Sequence, residues 1–348
     1  MSTMREVATR AGVSAQTVSR VLKNDKYVSD GARERVLRAV DELNYVPNVL
    51  AKTFRSGRDT VVGIAVPDVA DPFFGQVTRA VERIARDRGV AVFVTSIGED
   101  PVYERPALEA LLSRQLIGLI VAPIAADQSY LEKWQASTTM VFIDRQPRQL
   151  NADSVVEDDF GGAKKATTHL VQHGHRRIAF IGDALTVPTT QRRLEGYQAA
   201  LAEADLAEDW SLISLGTAVQ PTIMPVVPPL LDLPQPPTAI FSSNARCTQQ
   251  VVPQLHRIRR DDVALISFGD FPMADTLTPS ISVIDQNPAN LGTFAARRLF
   301  DRVDKPNKRF RRHTVLPVTL VPRGSCEFGP GRLPAQHTEA DALHQETA

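Results

Sequence analysis

Residues 14–24 read Ser-Ala-Gln-Thr-Val-Ser-Arg-Val-Leu-Lys-Asn and predict a short helix with two chemically different faces. Val18, Val21 and Leu22 are spaced i, i+3 and i+4, so they share the face that packs. Ser14 can cap the first turn, because its hydroxyl can accept from an unpaired amide there. The other face carries small, amide, hydroxyl and guanidinium side chains, which fit base edges in a DNA major groove: Ala15, Gln16, Ser19 and Arg20.

Another helix is predicted just before this stretch. Thr3 and Glu6 have the spacing of a capping box, and Val7 and Ala11 belong to an apolar stripe. Gly12 interrupts the stripe before the next helix begins. Helix, glycine turn and helix is the pattern of a helix-turn-helix DNA-binding motif, although an ordinary helical hairpin shares it.

A third helix is predicted after Ser29, its expected cap, with an apolar face of Val36, Leu37, Val40 and Leu43. Pro47 suits the start of a further helix, since its missing amide would have been unpaired anyway. That helix would cover 48–55 and end at Ser56-Gly57, and about eight residues are too few for a stable lone helix in water. DNA in a dimeric complex is a good candidate for ordering it.

Residues 4–55 resemble the headpiece and hinge of the lactose-repressor/galactose-repressor (LacI/GalR) family of bacterial transcription regulators. The matching motifs are Glu-Val-Ala-x-x-Ala-Gly-Val-Ser-x-x-Thr-Val-Ser-Arg-Val-Leu at 6–22, Val-Ser at 28–29, Leu-Asn-Tyr-Val-Pro-Asn at 43–48, and Ala51. The resemblance implies base contacts in the major groove by the second helix. It also implies a hinge side chain wedged into the minor groove at the centre of a palindromic operator.

The family usually has Leu at the wedge, where this chain has Phe54. An aromatic wedge can also unstack a base step, and packing on the partner hinge helix is the alternative role. A homodimer on a palindrome is expected. The predicted DNA-binding set is Thr3, Ser14, Ala15, Gln16, Thr17, Ser19, Arg20, Asn24, Tyr45, Asn48, Ala51, Lys52, Phe54 and Arg55.

Charge is unevenly distributed along the 348 residues, although the formal net charge is zero. Residues 1–58 carry eleven Lys and Arg against six Asp and Glu, and the remainder carries 29 against 34. A basic head on an acidic body fits phosphate contact at one end. The length predicts two or three structural units.

Several other classes of protein lack support in the sequence. Cys247 and Cys326 are too far apart for a metal or disulfide pattern, and His173 and His175 are better explained by a turn around Gly174. No catalytic signature, cofactor loop, signal peptide or membrane-length apolar run is present. We therefore expect a cytoplasmic protein that is not an enzyme and has no metal, cofactor or membrane partner. A cytoplasmic solute-binding sensor and a doubly wound enzyme with a helical accessory domain remain the alternatives.

From residue 60 onward, apolar strands alternate with amphipathic helices. Strands are predicted at 61–66, 90–95, 117–122, 140–143, 177–181, 239–242 and 263–267, and helices at 73–88, 103–114, 130–136, 160–172 and 193–204. This alternation predicts parallel, doubly wound sheets covered on both faces. The span is long for one sheet, so we expect two lobes with a ligand in the crevice between strand ends.

Family landmarks recur in this region, including Phe-Ile-Asp-Arg at 142–145 and Arg-Leu-Glu-Gly-Tyr at 193–197. They imply an α/β, two-lobed, periplasmic-binding-protein-like effector domain that also dimerises, behind an all-α headpiece. The expected boundaries are a helix-turn-helix domain at 1–46, a hinge at 47–58, an effector domain at 59–327 and a disordered tail at 328–348. Within the effector domain, the resemblance implies an N-lobe of about 59–157 plus 287–313 and a C-lobe of about 158–286 plus 314–327.

The resemblance also implies effector contacts, and the predicted set is Asp71, Phe73, Ser96, Asp144, Arg193, Asn244 and Asp270. An aromatic face can stack on a sugar or base, and the planar fork of Arg193 suits vicinal hydroxyls, a carboxylate or a phosphate. Ordinary roles stay open: helix-start packing for Phe73, turn formation for Asp144 and Asn244, and a surface ion pair for Arg193.

Two positions depart from the family pattern. The chain has Asn244-Ala245 where Asn-Asp is usual, and Gly269-Asp270 where Asp-Asp is usual. The first carboxylate of the second pair is the family's usual acceptor for sugar hydroxyls. With it lost and Arg193 kept, we expect an effector more acidic than a plain sugar, such as a sugar acid or sugar phosphate. Seven prolines within 221–237 are expected to prevent a regular helix there.

Overall fold

The computed structural model describes residues 3–22, 25, 27–43, 45, 61–216 and 226–331. The chain divides into two compact units, Met1–Asp59 and Thr60–Ala348. The predicted hinge and most of the predicted tail lie outside the described residues. So do these predicted DNA contacts: Asn24, Asn48, Ala51, Lys52, Phe54 and Arg55.

The headpiece contains three described helices: α1 Met4–Ala11, α2 Ala15–Leu22 and α3 Asp30–Glu42. Thr3 and Glu6 form the predicted capping box, in which the Glu6 amide donates to Thr3 Oγ1 at 3.3 Å and the Thr3 amide donates to Glu6 Oε2 at 2.9 Å. Gly12 ends α1 with φ +64°, a left-handed conformation that favours glycine. The helix-turn-helix pattern is therefore built by local interactions.

Two details of α3 differ from the sequence prediction. Ser29 occupies the N-cap position, but its side chain makes no capping hydrogen bond. Leu37 is 48 % exposed, whereas Val36 and Ala39 are buried and Val40 packs against them. The apolar face thus follows the spacing i, i+3 and i+4, which excludes Leu37 from the core.

The larger unit alternates strands and helices along nearly its whole described length. Its strands are β1 Val61–Val66, β2 Ala91–Ser96, β3 Gly118–Val121, β4 Thr139–Ile143, β5 Asp153–Glu157, β6 Ile178–Gly182, β7 Ile213–Leu215, β8 Ala239–Ser242, β9 Ala264–Phe268, β10 Ser282–Asp285, β11 His313–Leu316 and β12 Thr319–Val321. Its α-helices are α4 Pro72–Asp87, α5 Glu104–Leu112, α6 Asp159–Gln172, α7 Pro188–Glu203, α8 Val227–Leu231, α9 Ala245–Arg257 and α10 Pro288–Asp304. Short 3-10 helices cover Pro101–Tyr103, Ser129–Trp134 and Trp210–Leu212.

Two six-stranded sheets define an N-lobe and a C-lobe. The N-lobe sheet has the order β11-β5-β4-β3-β1-β2 and is parallel throughout. The C-lobe sheet has the order β12-β10-β9-β8-β6-β7, and its β10–β12 pair is antiparallel. The predicted lobe boundary at residues 313 and 314 falls inside β11, whose four residues pair with β5, so residues 314–316 belong to the N-lobe sheet.

Both faces of each sheet are covered by apolar side chains, as expected for doubly wound folds. In β1, Val62, Ile64 and Val66 join the core on one face, while Val61 and Ala65 join the core on the other. Because successive side chains alternate between faces, burial on both sides requires the continuous apolar run seen in the sequence.

Three predicted segments need correction. The helix predicted from Arg193 begins at Pro188, because proline is well accommodated in a first helical turn. The segment predicted as a helix at 130–136 is a 3-10 helix at Ser129–Trp134. The proline-rich stretch does include the five-residue α8, whose first turn accommodates Pro228 and Pro229, while 221–225 lies outside the described residues.

The beginning of the predicted disordered tail is also packed. Phe328 is 7 % exposed and belongs to the C-lobe core. Its carbonyl oxygen lies 3.0 Å from Nε2 of His175, a buried side chain. The folded C-lobe therefore extends beyond residue 327.

Each lobe contains a close helix crossing that depends on a glycine. A Cβ added to Gly292 in α10 would lie 2.4 Å from the carbonyl oxygen of Val77 in α4. A Cβ added to Gly196 in α7 would lie 2.3 Å from the carbonyl oxygen of Phe160 in α6. These distances are below van der Waals contact with backbone atoms, so only glycine fits the crossings as they stand.

Gly292→Ala is expected to lower the free energy of unfolding by about 1–3 kcal/mol, because the added methyl forces α4 and α10 apart. Gly75→Ala in α4 is the matched control, since its Cβ would approach no closer than 3.7 Å to the Val69 carbonyl oxygen. Guanidinium denaturation measures both variants. Equal unfolding free energies for Gly292→Ala and the wild type would contradict the close crossing.

Candidate functional site

Helix α2 presents the predicted base-reading side chains on its exposed face. Val18 and Val21 are buried, whereas Ala15, Gln16 and Arg20 are exposed. The Arg20 guanidinium lies 3.9 Å from the Asp25 carboxylate, a long ion pair that leaves the side chain 52 % exposed. This arrangement suits major-groove recognition by a helix anchored through its other face.

The other predicted headpiece contacts differ in exposure. The Ser14 hydroxyl caps α2 by accepting from the Thr17 amide at 3.1 Å. Thr3 is exposed, and Thr17 and Ser19 are half-buried. Tyr45, by contrast, is only 8 % exposed and packs in the headpiece core, so its ring has a structural role.

An interlobe cleft lies at the edge where the parallel strands of both sheets end. It is defined by residues that follow these strands, among them Asp68, Asp144, Asp183, Asn244 and Gly269. The cleft is open to solvent on one side, and the carboxyl ends of parallel strands are where open α/β sheets bind ligands. It is lined by six of the seven predicted effector residues: Asp71, Phe73, Asp144, Arg193, Asn244 and Asp270.

Ser96 is the predicted residue that does not line the cleft. It ends β2 and is exposed, and its hydroxyl accepts from the Val69 amide at 3.1 Å. Asp270 lines the cleft but is bound by Arg323 at 2.7 and 3.0 Å. Ser96 is therefore not placed to bind a ligand in the cleft, and the Asp270 carboxylate is already paired with Arg323.

Arg193 is held rigidly in the cleft wall and is only 5 % exposed. Its Nε donates to Asp159 Oδ1 at 2.7 Å, and its Nη1 donates to the Ser243 carbonyl oxygen at 2.6 Å. The guanidinium carbon lies 3.9 Å from the centre of the Phe268 ring. Burial raises the pKa of Asp159 to about 6, although the adjacent Arg193 charge opposes the rise.

Asp144 adopts a strained backbone conformation at the end of β4. Its φ of +61° is in the left-handed region, which costs a non-glycine residue roughly 1 kcal/mol or more. Its carboxylate lies 3.0 Å from Nε of Arg145, and both side chains are largely buried. Strain of this kind at a cleft wall is typical of residues positioned for binding.

Asn244 and Asp71 combine structural and lining roles. Asn244 Oδ1 caps α9 by accepting from the Cys247 amide at 2.8 Å, and its Nδ2 donates to Asp183 Oδ2 at 2.7 Å. Asp71 Oδ1 caps α4 by accepting from the Phe73 amide at 2.9 Å. Burial raises the pKa of Asp71 above its usual value. The ordinary turn-forming role and the cleft role thus coexist in the same residues.

Asp183 and Arg246 line the cleft but were not predicted from the sequence. Asp183 follows β6 directly and is 5 % exposed, and its Oδ1 has no hydrogen-bond partner among the described residues. Its position after a strand was the available signal. Arg246 in α9 had no comparable signal, because its role depends on contacts with the other lobe.

Arg246 bridges the two lobes across the cleft. It donates to Glu99 and lies 3.9 Å from Asp71 Oδ2, and both of these residues belong to the N-lobe. In the C-lobe, its Nη2 lies 3.5 Å from Asp183 Oδ2. One guanidinium is therefore shared among three carboxylates, and it holds the lobes together through charge-assisted contacts.

Comparison with known proteins agrees with this architecture. A profile described as "Bacterial regulatory proteins, lacI family" matches residues 3–48, and one described as "Periplasmic binding protein-like domain" matches residues 167–326. The ribose operon repressor of Escherichia coli strain K12 is 30 % identical over 331 residues, covering 94 % of this chain and 100 % of that protein. The chain belongs to the LacI family of bacterial regulatory proteins.

Two solved structures are similar to this LacI-family chain over most of its length. A putative ribose operon repressor from Burkholderia thailandensis is 28 % identical with a TM-score of 0.68, covering 76 % of this chain and 99 % of that one. The lac repressor dimer bound to operator and the anti-inducer ONPF is 24 % identical with a TM-score of 0.78, covering 94 % and 99 %. The latter likeness shows a shared fold.

Family membership makes the chain a transcription regulator rather than an enzyme. In the described part of the chain, no helix is long and apolar enough to cross a membrane. Within the same residues, no group of three or more His, Cys, Asp or Glu side chains is arranged to hold a metal ion.

The LacI-family departure at Gly269 has a local structural reason. Its φ is +95°, a conformation that disfavours a side chain, and an added Cβ would lie 2.8 Å from Gln286 Oε1. Gln286 lines the cleft beside it. A carboxylate at position 269 would therefore strain this backbone and displace the Gln286 side chain from its observed position.

Glu157 is a buried carboxyl group where the chain passes from the N-lobe to the C-lobe. It is 3 % exposed, and neither carboxyl oxygen has a hydrogen-bond partner among the described residues. Burial raises its pKa well above the usual value, and the charges of Asp144 and Asp159 raise it further, with Arg193 opposing. Glu157 therefore retains a proton at pH values where an exposed glutamate is ionised.

Glu157→Gln is expected to raise the free energy of unfolding at about pH 7.5 by at least 1 kcal/mol, because it removes the cost of a buried ionisable group. A raised folded-state pKa means that wild-type stability falls as the pH rises above 4.5, the usual pKa of an exposed glutamate. The stability gained by the substitution should therefore decrease as the pH is lowered from about 7.5 toward 4.5. Urea denaturation at both pH values measures it, with exposed Glu132→Gln as control, and an equal gain at both pH values would contradict the burial argument.

Proposed function

We propose that this LacI-family protein is a repressor that binds a palindromic operator as a homodimer, under the control of a small molecule in the interlobe cleft. The supporting observation is that one chain carries both an exposed recognition face on α2 and a cleft between two lobes. A ligand that prefers one arrangement of the lobes shifts the population toward it and so changes operator affinity. Such a protein would act in the cytoplasm, where the DNA is.

We also propose that the effector is a neutral sugar. The cleft is lined by five aspartates and three arginines, so its lining is net acidic. The guanidinium groups are already paired: Arg145 with Asp144, Arg193 with Asp159, and Arg246 with Glu99. A sugar acid or phosphate would therefore meet repulsion rather than an available cation.

The sequence favoured an acidic effector because Gly269 lacks a carboxylate. Asp183 supplies another carboxylate in the same cleft, and its Oδ1 has no hydrogen-bond partner among the described residues. We assign it as the acceptor for a sugar hydroxyl. Phe73 lines the cleft as well and adds aromatic surface to it. Ribose is the first sugar to test, since relatives of this chain are ribose operon repressors.

The operator prediction is tested by selecting binding sites from random duplex DNA at fixed salt. An enriched palindrome is the expected result, and no enrichment with or without sugars would favour a sensor that lacks an operator. Arg20→Ala should then weaken binding to the selected palindrome by about 1–3 kcal/mol, the usual worth of a base-reading arginine. Arg38→Ala, an exposed headpiece arginine paired with Glu34, is the matched control in the gel shift. Equal affinities of the two variants for the palindrome would show that Arg20 does not take part in recognition.

Arg193→Ala should leave operator affinity intact and abolish the response to the effector, because the cleft wall loses its fixed guanidinium. Arg192→Ala is the matched control, since this neighbouring arginine is exposed and pairs with Glu195. Calorimetric titration with ribose, its acid and its 5-phosphate measures binding directly. Tighter binding of the acid or phosphate than of the neutral sugar would overturn the assignment of effector class.

A further inference from the structure

A basic loop, defined as residues 305–313, follows α10 and ends on His313, the first residue of β11. It reads Lys-Pro-Asn-Lys-Arg-Phe-Arg-Arg-His. It contains five lysines and arginines and no carboxylate. This composition stands out, because residues 59–348 together carry more acidic than basic side chains. Such a cluster on an acidic body indicates a local binding surface for an anion.

Two acidic side chains beside the basic loop are occupied by cations from outside it, whereas Asp301 lies 3.4 Å from Lys305 of the loop. Asp153 pairs with Arg298 and Arg302, and Asp304 pairs with Arg88 at 2.8 Å. Within the described residues, no carboxylate lies within ion-pair distance of Lys308, Arg309 or Arg311. All three side chains are exposed, so their charges are available to a partner.

The basic loop has a fixed conformation because its neighbours hold it. Phe310 is half-buried, and the cationic groups of Arg298, Arg302 and Lys308 lie 4.8–5.3 Å from its ring centre. Arg298 Nη1 also donates to the Arg311 carbonyl oxygen at 2.5 Å. The aromatic side chain of the loop is therefore packed against its neighbours, and the guanidinium groups of Arg309 and Arg311 are exposed.

The basic loop lies at the edge of the N-lobe sheet opposite the interlobe cleft. All six strands of this sheet run parallel, and His313 at the start of β11 pairs with Ser154 near the start of β5. Val61, the first described residue after the headpiece and its linker, begins β1 at this same edge. The first described residue of the larger unit and the basic loop therefore lie at the same edge of the N-lobe sheet.

We propose that the basic loop binds phosphates of the DNA that flanks the operator. This inference rests on operator binding by the headpiece. Guanidinium forks match phosphate oxygens well, and such contacts add affinity without reading sequence. A lipid surface fits less well, because the only large apolar side chain within the loop is Phe310, which is half-buried against arginines.

The test compares two duplexes, one ending at the selected palindrome and one extended by about ten base pairs, roughly one helical turn, at each end. Full-length wild type, the double variant Arg309→Gln with Arg311→Gln, and the double variant Arg257→Gln with Arg259→Gln are titrated over a range of salt. The second variant is the matched control, because it removes two exposed arginines from α9 and the turn after it in the C-lobe.

The expected result is that loss of Arg309 and Arg311 weakens binding to the extended duplex about tenfold and makes its salt dependence shallower by about two to four in log–log slope. Binding to the short duplex stays at the wild-type level, which also shows that the variant is folded and that operator recognition is intact. The control variant behaves like the wild type on both duplexes.

Three results would overturn the proposal. The first is wild-type affinity of the loop variant for the extended duplex, and the second is an equal loss on both duplexes. The third is unchanged DNA binding together with loss of binding to vesicles of equal parts phosphatidylglycerol and phosphatidylcholine, which would reassign the loop to a lipid surface. Failure of the wild type to bind the short duplex would instead refute the proposed operator function.

Discussion

The direction of the parallel strands is the constraint on which the larger unit depends. Every strand of the N-lobe sheet starts at one edge and ends at the other, and the chain leaves this sheet after β5 and β11 and returns to it after β10. These three crossings join carboxyl ends of strands to the other lobe, so the loops that follow strands in both lobes face one cleft. Asp144 and Asn244 are neighbours of the same cavity for this reason, although they are far apart in sequence.

Features encoded by local spacing were predictable from the sequence. The Thr3 capping box and the Gly12 turn involve residues three or four positions apart, and the continuous apolar run of β1 is buried on both faces. Arg193 was identified because it begins the family motif Arg-Leu-Glu-Gly-Tyr at 193–197. The contacts of Arg246 could not be predicted, since Glu99 is 147 positions away and pairs with it only when both lobes are in place. Leu37 and Phe328 were misassigned because hydrophobicity alone does not show which apolar side chains reach a core.

The electrostatics of the cleft explain why its arginines do not make it an anion site. Arg193 is fixed by Asp159 and stacked on Phe268, and Arg246 is shared by carboxylates of both lobes. Each guanidinium thereby compensates buried acidic groups that would otherwise be costly. A ligand whose hydroxyl groups donate to Asp71 or Asp183 must replace part of the contact of these carboxylates with Arg246. Ligand binding and contact between the lobes therefore involve the same carboxylates.

A signal from the cleft has to cross the N-lobe sheet to reach the opposite edge, where β1 begins at Val61. The strands of that sheet are four to six residues long, which is about 13–20 Å. The sheet is packed on both faces, and on one face α4 and α10 are in close contact at Gly292. It therefore resists local distortion. Coupling is therefore better explained by movement of whole lobes about the three crossings than by deformation within a lobe. Glu157 lies at the first of these crossings with its carboxyl unpaired, where a change in lobe orientation would alter its surroundings directly.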